Sequence, residues 1–257
     1  MEFDLTRKYY EEGGYQPFVF YVVFGIDAKR VEISRDKHHV ENIPEGIEIN
    51  YVSKQNDEEY MKGFFAGSLG LVLYDDNPQI YDKANEANNA VIISGNVKNA
   101  SNFEYMKEVI GIVKAFSENG AVGILDLLNM SFISPSGWDN KYFEKDVDPL
   151  AHVTIFVSDD INNPNKCWFH TRGLRKFGRP DLSMHNIDKE DAEEIKKVFD
   201  LLIDYAGRGA LFKNEVKVKT PENILFKLKT EYIEDFNDSD YNNAHLEIEI
   251  TDKQKED

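Results

Sequence analysis

The stretch AVIISGNVKNASNFEYMKEVIGIVKAFSENGAVGILD (90–126) decides the fold class, because one helix-like run lies between two strand-like runs. Residues 90–94 and 121–126 are short and apolar, as buried strands are. Between them Met106, Val109, Ile110, Val113 and Phe116 recur at helical spacing, which predicts a helix over 101–118 with one apolar stripe. Ser101 and Glu104 stand at capping-box spacing, and Asn119-Gly120 supplies the left-handed stop.

Working outward from this core, residues 47–52 read as a strand and about 57–67 as a helix opened by Asn56 and Glu59. LGLVLY (69–74) reads as a further strand. Residues 47–126 are thus predicted as strand, helix, strand, strand, helix, strand, the order of a ferredoxin-like split βαβ unit. PFVFYVVF (17–24) is a strand within an N-terminal extension covering 1–46. Strands at 152–158, 166–171 and 215–219, and a helix over about 189–206, predict a second α+β layer over 127–250. In HLEIEI (245–250), Leu246, Ile248 and Ile250 alternate with glutamates, as in a half-buried strand. Pairing it with EVKVK (215–219) sets Glu against Lys. Residues 251–257 are expected to form a disordered acidic tail. No Pro/Gly/Ser linker separates the layers, so one compact α+β body is expected.

The formal charge is −17, and residues 231–257 hold ten Asp/Glu against Lys253 and Lys255. Such acidity argues against nucleic acid, whose binding rests on a basic surface, and against an anionic membrane. The single cysteine, Cys167, forms no internal disulfide and suits a reducing compartment. The opening MEFDLTRKYYEEGG lacks an apolar signal region and no run spans a bilayer, so a cytoplasmic location is expected.

Against this acidity stands CWFHTRGLRKFGRPDLSMHN (167–186). Arg172, Arg175, Lys176 and Arg179 fall at i, i+3, i+4 and i+7, so a short helix would gather them on one face, with Leu174 and Phe177 opposite. Thr171 is placed to cap that helix, Gly178 to close it and Pro180 to forbid its continuation. Read functionally, the four cations are an anion site, since arginines on one face suit bidentate capture of phosphate or carboxylate. Read structurally, the segment is a strand–turn–strand whose cations are solvated or paired with the protein's own carboxylates. His170 and His185 flank it and are the alternative catalytic residues. A hairpin would bring His152 beside His170, but no recognised ligand spacing exists, so neither metal nor cofactor is assigned. Three residues apart in a strand, Cys167 and His170 point to opposite faces, which leaves Cys167 a buried hydrophobe. In SPSGW (134–138), Ser136 and Asp139 are placed to cap a helix to about 144, with Trp138 packed beneath. No nucleophile elbow, Walker loop, dinucleotide fingerprint or zinc motif is present.

HTRGLRKFGRPDL (170–182) resembles the Thr-x-Gly-Met/Leu-x-x-Phe-Gly-x-Pro-Asp/Glu signature of a family of uncharacterised bacterial proteins, a domain of unknown function. Thr171, Gly173, Phe177, Gly178, Pro180 and Asp181 match it, with Leu174 where methionine is common. GAVGILDLLNMSFISPSGWDNKYF (120–143) is similar to the same group, including its Ser-Pro-x-x-Trp element at Trp138. The resemblance implies an α+β outline over 69–206 and no particular activity. Residues 1–45 and the acidic tail have no counterpart in it. The expectation is a non-catalytic cytoplasmic protein that engages a basic protein partner through its acidic surface, as immunity proteins do. The alternative is a hydrolase acting on an anionic substrate at His170 and Arg172–Arg179.

Overall fold

FVFYVVF is apolar on both faces of the pleat, which suits a strand covered on both sides. Phe18–Phe24 (β1) is accordingly the central strand of a five-stranded sheet. The computed structural model describes residues 3–26, 31–161 and 163–255. It divides the chain into two compact units, 1–6 with 16–147 and 7–15 with 148–257.

In the first unit β1 is followed by α1 (Arg35–His38), β2 (Ile47–Ser53), α2 (Lys54–Gly63), α3 (Gly67–Asp76), α4 (Pro78–Glu86) and β3 (Asn89–Asn96). Then come α5 (Glu104–Ser117), β4 (Gly123–Asp126), β5 (Ser131–Ile133) and α6 (Pro135–Trp138). The strand order is β2-β3-β1-β4-β5, antiparallel throughout. Met61, Phe64, Leu73, Ile80 and Ala84 of α2–α4 pack on Val22, Phe24, Ile92, Leu125 and Phe132 of the sheet. Helix α5 lies against β1 and β3 and buries Met106, Val109, Ile110 and Val113.

Two expectations fail here. LGLVLY lies inside α3, not in a strand. A short apolar run does not separate buried strand from helix by periodicity, and its leucines favour helix. Three helices therefore stand between β2 and β3, and the element order expected over 47–126 is not formed. Nor does Ser101 cap α5: the Glu104 N–H donates to Asn102 Oδ1 (3.0 Å), and the Ser101 hydroxyl bonds to Asn99 (3.2 Å). Strands β1 and β5 and helix α6 all belong to the first unit.

The second unit contains α7 (Pro149–His152), β6 (Thr154–Asp160), β7 (Asn163–Arg172), β8 (Asp181–Asp188) and α8 (Ala192–Gly207), then β9 (Glu215–Lys219), β10 (Ile224–Ile233) and β11 (His245–Lys255). Its sheet runs β6-β7-β8-β11-β10-β9, antiparallel except for the parallel β8–β11 pair. Helix α8 buries Ile195, Val198, Phe199, Leu202 and Ile203, with the Phe199 ring 5.6 Å from that of Phe169. HLEIEI is in a strand, but not beside EVKVK, because β10 lies between and pairs with both. Lys229 and Lys227 of β10 thus face Glu249 and Asp252. Residues 251–255, expected to be disordered, continue β11 along β10, while 256–257 lie outside the described residues.

Candidate functional site

From the end of β7 the chain makes one 3-10 turn over Leu174–Phe177 and enters β8 at Asp181. Gly173 (φ 124°) and Gly178 (φ 66°) take conformations that disfavour any side chain. Leu174 and Phe177 are fully buried. The expected helix with a common cationic face is not formed, because a four-residue 3-10 turn leaves Arg172 and Arg179 outside it. Lys176 has no exposed surface, and Arg172 and Arg179 are only 7% and 2% exposed.

The guanidinium of Arg179 is a joint. It donates to the carbonyl oxygens of Ala210 (3.0 Å), Gly13 (3.1 Å), Gly178 (3.0 Å), Glu11 (2.9 Å) and Gly209 (2.5 Å). Residues 7–15 are thereby fastened to the end of α8 and to the turn. Arg172 donates to the carbonyls of Ser239 (3.0 Å) and Asp240 (3.3 Å), and Arg175 to that of Asn242 (2.6 Å). Burial lowers the pKa of all three arginines, yet a guanidinium stays charged. For Arg172 and Arg179 the acceptors are main-chain carbonyls, not the carboxylates expected.

Asp181 ties the signature together. Its carboxylate accepts the Thr171 hydroxyl (2.9 Å), the Leu174 N–H (3.2 Å) and Asn243 Nδ2 (2.7 Å). Thr171 caps no helix; its oxygen accepts the Leu182 N–H (2.8 Å). In the first unit Trp138 is equally structural, fully buried with its indole N–H on the Ile110 carbonyl (3.2 Å) and its ring 5.3 Å from Tyr21. Ser134, not Ser136, caps α6, accepting the Gly137 N–H (3.0 Å).

The two flanking histidines belong to an aromatic row. Trp168 stacks on His170 (4.1 Å between centroids) and on His185 (5.1 Å), and Phe156 covers the far side of His170 (5.3 Å). His185 Nδ1 meets the buried Asp160 carboxylate at 3.0 Å. His152 does not join them: it ends α7 against Phe177 (5.9 Å), and the register sets Phe156 opposite His170. Among the described residues no three His, Cys, Asp or Glu side chains gather as a metal-ligand set. Cys167 is buried.

Burial, with Arg172 and His185 adding, holds His170 down to about 4, and burial pushes Asp181 up to about 6 against its hydrogen bonds and Arg172. Their effects on stability oppose each other. Native Asp181 keeps a proton that the unfolded chain has released, so its contribution falls by about 3 kcal/mol as pH rises from about 4 to about 6. The unfolded chain protonates His170 first, so that contribution falls by about 3 kcal/mol as pH drops from about 6.5 to about 4. Asp181→Asn is expected to steepen the loss of stability on acidification. His170→Phe is expected to tilt the profile the other way. Urea midpoints measured across this window test the pair, and parallel profiles for the two variants would contradict it.

A cleft opens between β8 and β11. The two strands pair only where Asp181–Ser183 meet His245–Glu247. Beyond that, β8 bulges: Trp168 faces both His185 and Asn186, and Asn186 has φ 61°. Asp160 holds the bulge, accepting the Asn186 N–H at 2.8 Å beside its contact with His185. A bulge bends its strand, and here β8 leaves β11. The resulting space, about 480 Å³, is lined by Met184–Ile187, Glu247–Ile250, Lys229 and Glu231. Glu231 stands directly opposite Glu247, and Lys229 opposite Glu249. The sequence reading missed this cleft because it gives the strand after the turn no bounds and assigns no strand over 224–233, although Phe226, Leu228 and Thr230 alternate with Lys227 and Lys229.

The chain is therefore an α+β protein built on two sheets, with a buried structural signature and an acidic cleft in the second. Residues 155–231 match the family model described as the C-terminal part of a protein of unknown function, DUF4026. HTRGLRKFGRPDL lies within the match, which supports the resemblance to a domain of unknown function; the 120–143 block lies outside it. No curated protein and no solved structure matches the chain.

Proposed function

We propose that this is a non-catalytic binding protein that engages a basic protein partner through the acidic face of its second sheet. The directly opposed Glu231 and Glu247 carry the reading. Like charges directly opposite destabilise a sheet, and a cationic partner would relieve them. Burial works in the same direction. Among the described residues Arg7, Lys107, Arg172, Lys176 and Arg179 are buried against Asp126, Asp160 and Asp181, which leaves the surface more acidic than the formal charge. Such a field speeds encounter with a basic partner and opposes nucleic acid. A cytoplasmic setting is part of the proposal. In its support, Cys167 is the chain's single cysteine, and no helix among the described residues is long and apolar enough to cross a membrane. The ferredoxin-like reading also belongs here, supported by the antiparallel β2-β3-β1-β4 order and now resting on β1.

The hydrolase alternative draws its support from the Asp160–His185 contact. The Ser183 hydroxyl has no exposed surface and accepts the Trp168 indole N–H (3.0 Å), and His170 is clamped between two rings. Binding is the better reading. Affinity capture from the source organism with cross-linking is expected to return a basic protein cross-linked to β10–β11. High salt, or Glu231→Lys with Glu249→Lys, is expected to release it. A partner indifferent to both would overturn the reading.

A further inference from the structure

We infer that the fork between β8 and β11 takes up an extended, lysine- or arginine-rich segment as an added strand; this rests on the acidic-surface reading and names the form in which the partner is held. The parallel ladder ends after the Ser183–Glu247 pair. From Ile248 onward β11 is paired with β10 on one edge only, and among the described residues no ladder covers the other. An open strand edge inside a sheet is a template for a further strand, because its N–H and C=O groups lack main-chain partners. The β7–β8 bulge at His185–Asn186 lies where β8 has parted from β11, so the ladder would run along β11.

Charge chooses the occupant. Glu247 and Glu249 of β11 and Glu231 of β10 line the cleft, against Lys229 and His185. In an added strand alternate side chains share one face, so a basic residue at every second position meets these carboxylates while the intervening apolar ones face Ile248 and Ile250. Burial acts to raise the Glu247 pKa. Hydrogen bonds from His245 and Ser183 and the nearby His185 outweigh it and keep the carboxyl below its usual range, ready as an anion.

The test uses the full chain, a peptide of alternating lysine and valine, and a twin with every backbone nitrogen methylated. The twin keeps charge and shape but cannot complete the ladder. The unmodified peptide is expected to bind and to slow amide exchange within Ile248–Lys255, with the twin weaker by about tenfold or more. Exposed Glu231→Lys with Glu249→Lys should weaken the unmodified peptide by about tenfold, with circular dichroism unchanged. Equal binding of both peptides overturns strand addition and leaves the acidic-surface reading standing. Binding of neither overturns strand addition, and partner capture then judges the surface reading separately. Self-association that protects the same amides without peptide would assign the fork to a second copy of this chain and overturn the inference.

Discussion

Truncation after Asp240 is expected to unfold the second sheet. Strand β11 lies inside it, with β10 on one side and β8 on the other. Its removal leaves β6-β7-β8 separated from a two-stranded β9–β10 hairpin, and such a hairpin is marginal in water. Tyr241, Ala244, Leu246 and Ile248 are buried, and Asn243 holds Asp181. Leu246 and Ile248 alone contribute roughly 1.5–3 kcal/mol each, against a typical whole-domain stability of about 5–15 kcal/mol. The loss of near-ultraviolet dichroism and of amide protection in β7 and β8 would report it. Truncation after Ile250 is expected to lower the melting temperature only slightly. It removes the pairing of Ile224–Lys227 with Asp252–Lys255 and the Lys253–Glu194 contact. Equal melting temperatures for full-length protein and the Asp240 truncation would place β11 outside the sheet.

Elements with a strong period were legible in the sequence. The α5 stripe, the α8 face and the alternation in HLEIEI depend on side-chain spacing alone, and each forms where its residues direct. What failed depends on neighbours. LGLVLY becomes a helix because α2–α4 are needed to cover one face of the first sheet. Residues 251–255 look solvated in isolation, yet they gain order by pairing with β10.

At the basic turn the tight chain reversal was legible in the sequence and the environment of its cations was not. Gly173, Gly178, Pro180 and Phe177 mark a tight, anchored turn, as read from their chemistry. The spacing of the four cations assumed a helical repeat that the two positive-φ glycines interrupt. The three arginines donate to carbonyls of distant loops, among them those of Glu11, Gly13, Ser239, Asp240 and Asn242. No local pattern encodes such contacts. The cleft was hidden for a similar reason, since it exists only where β8 departs from a strand some 60 residues away in the chain, about the separation of Ser183 and Glu247.

Arg179→Ala should cost roughly 5 kcal/mol, far more than any other single cation of the turn that reaches the surface. A hydrogen bond from a charged donor contributes about 1.5–3 kcal/mol, and removing one side of a buried charged contact typically costs about 3–5 kcal/mol. Here one guanidinium serves five carbonyls, of which Gly178 and Gly209 are met in buried surroundings. Arg179→Lys should restore little, because a compact ammonium cannot span acceptors spread around a planar fork. Arg175→Ala gives the contrast, with an expected loss of about 1 kcal/mol, since that side chain is partly exposed and its hydrogen bond to Asn242 lies at the surface. Urea unfolding followed by tryptophan fluorescence compares the three. If Arg179→Ala costs no more than Arg175→Ala, water and not these carbonyls solvates the guanidinium. The turn would then be a cationic surface open to anions, and the acidic face would lose its standing as the principal charged site of the second unit.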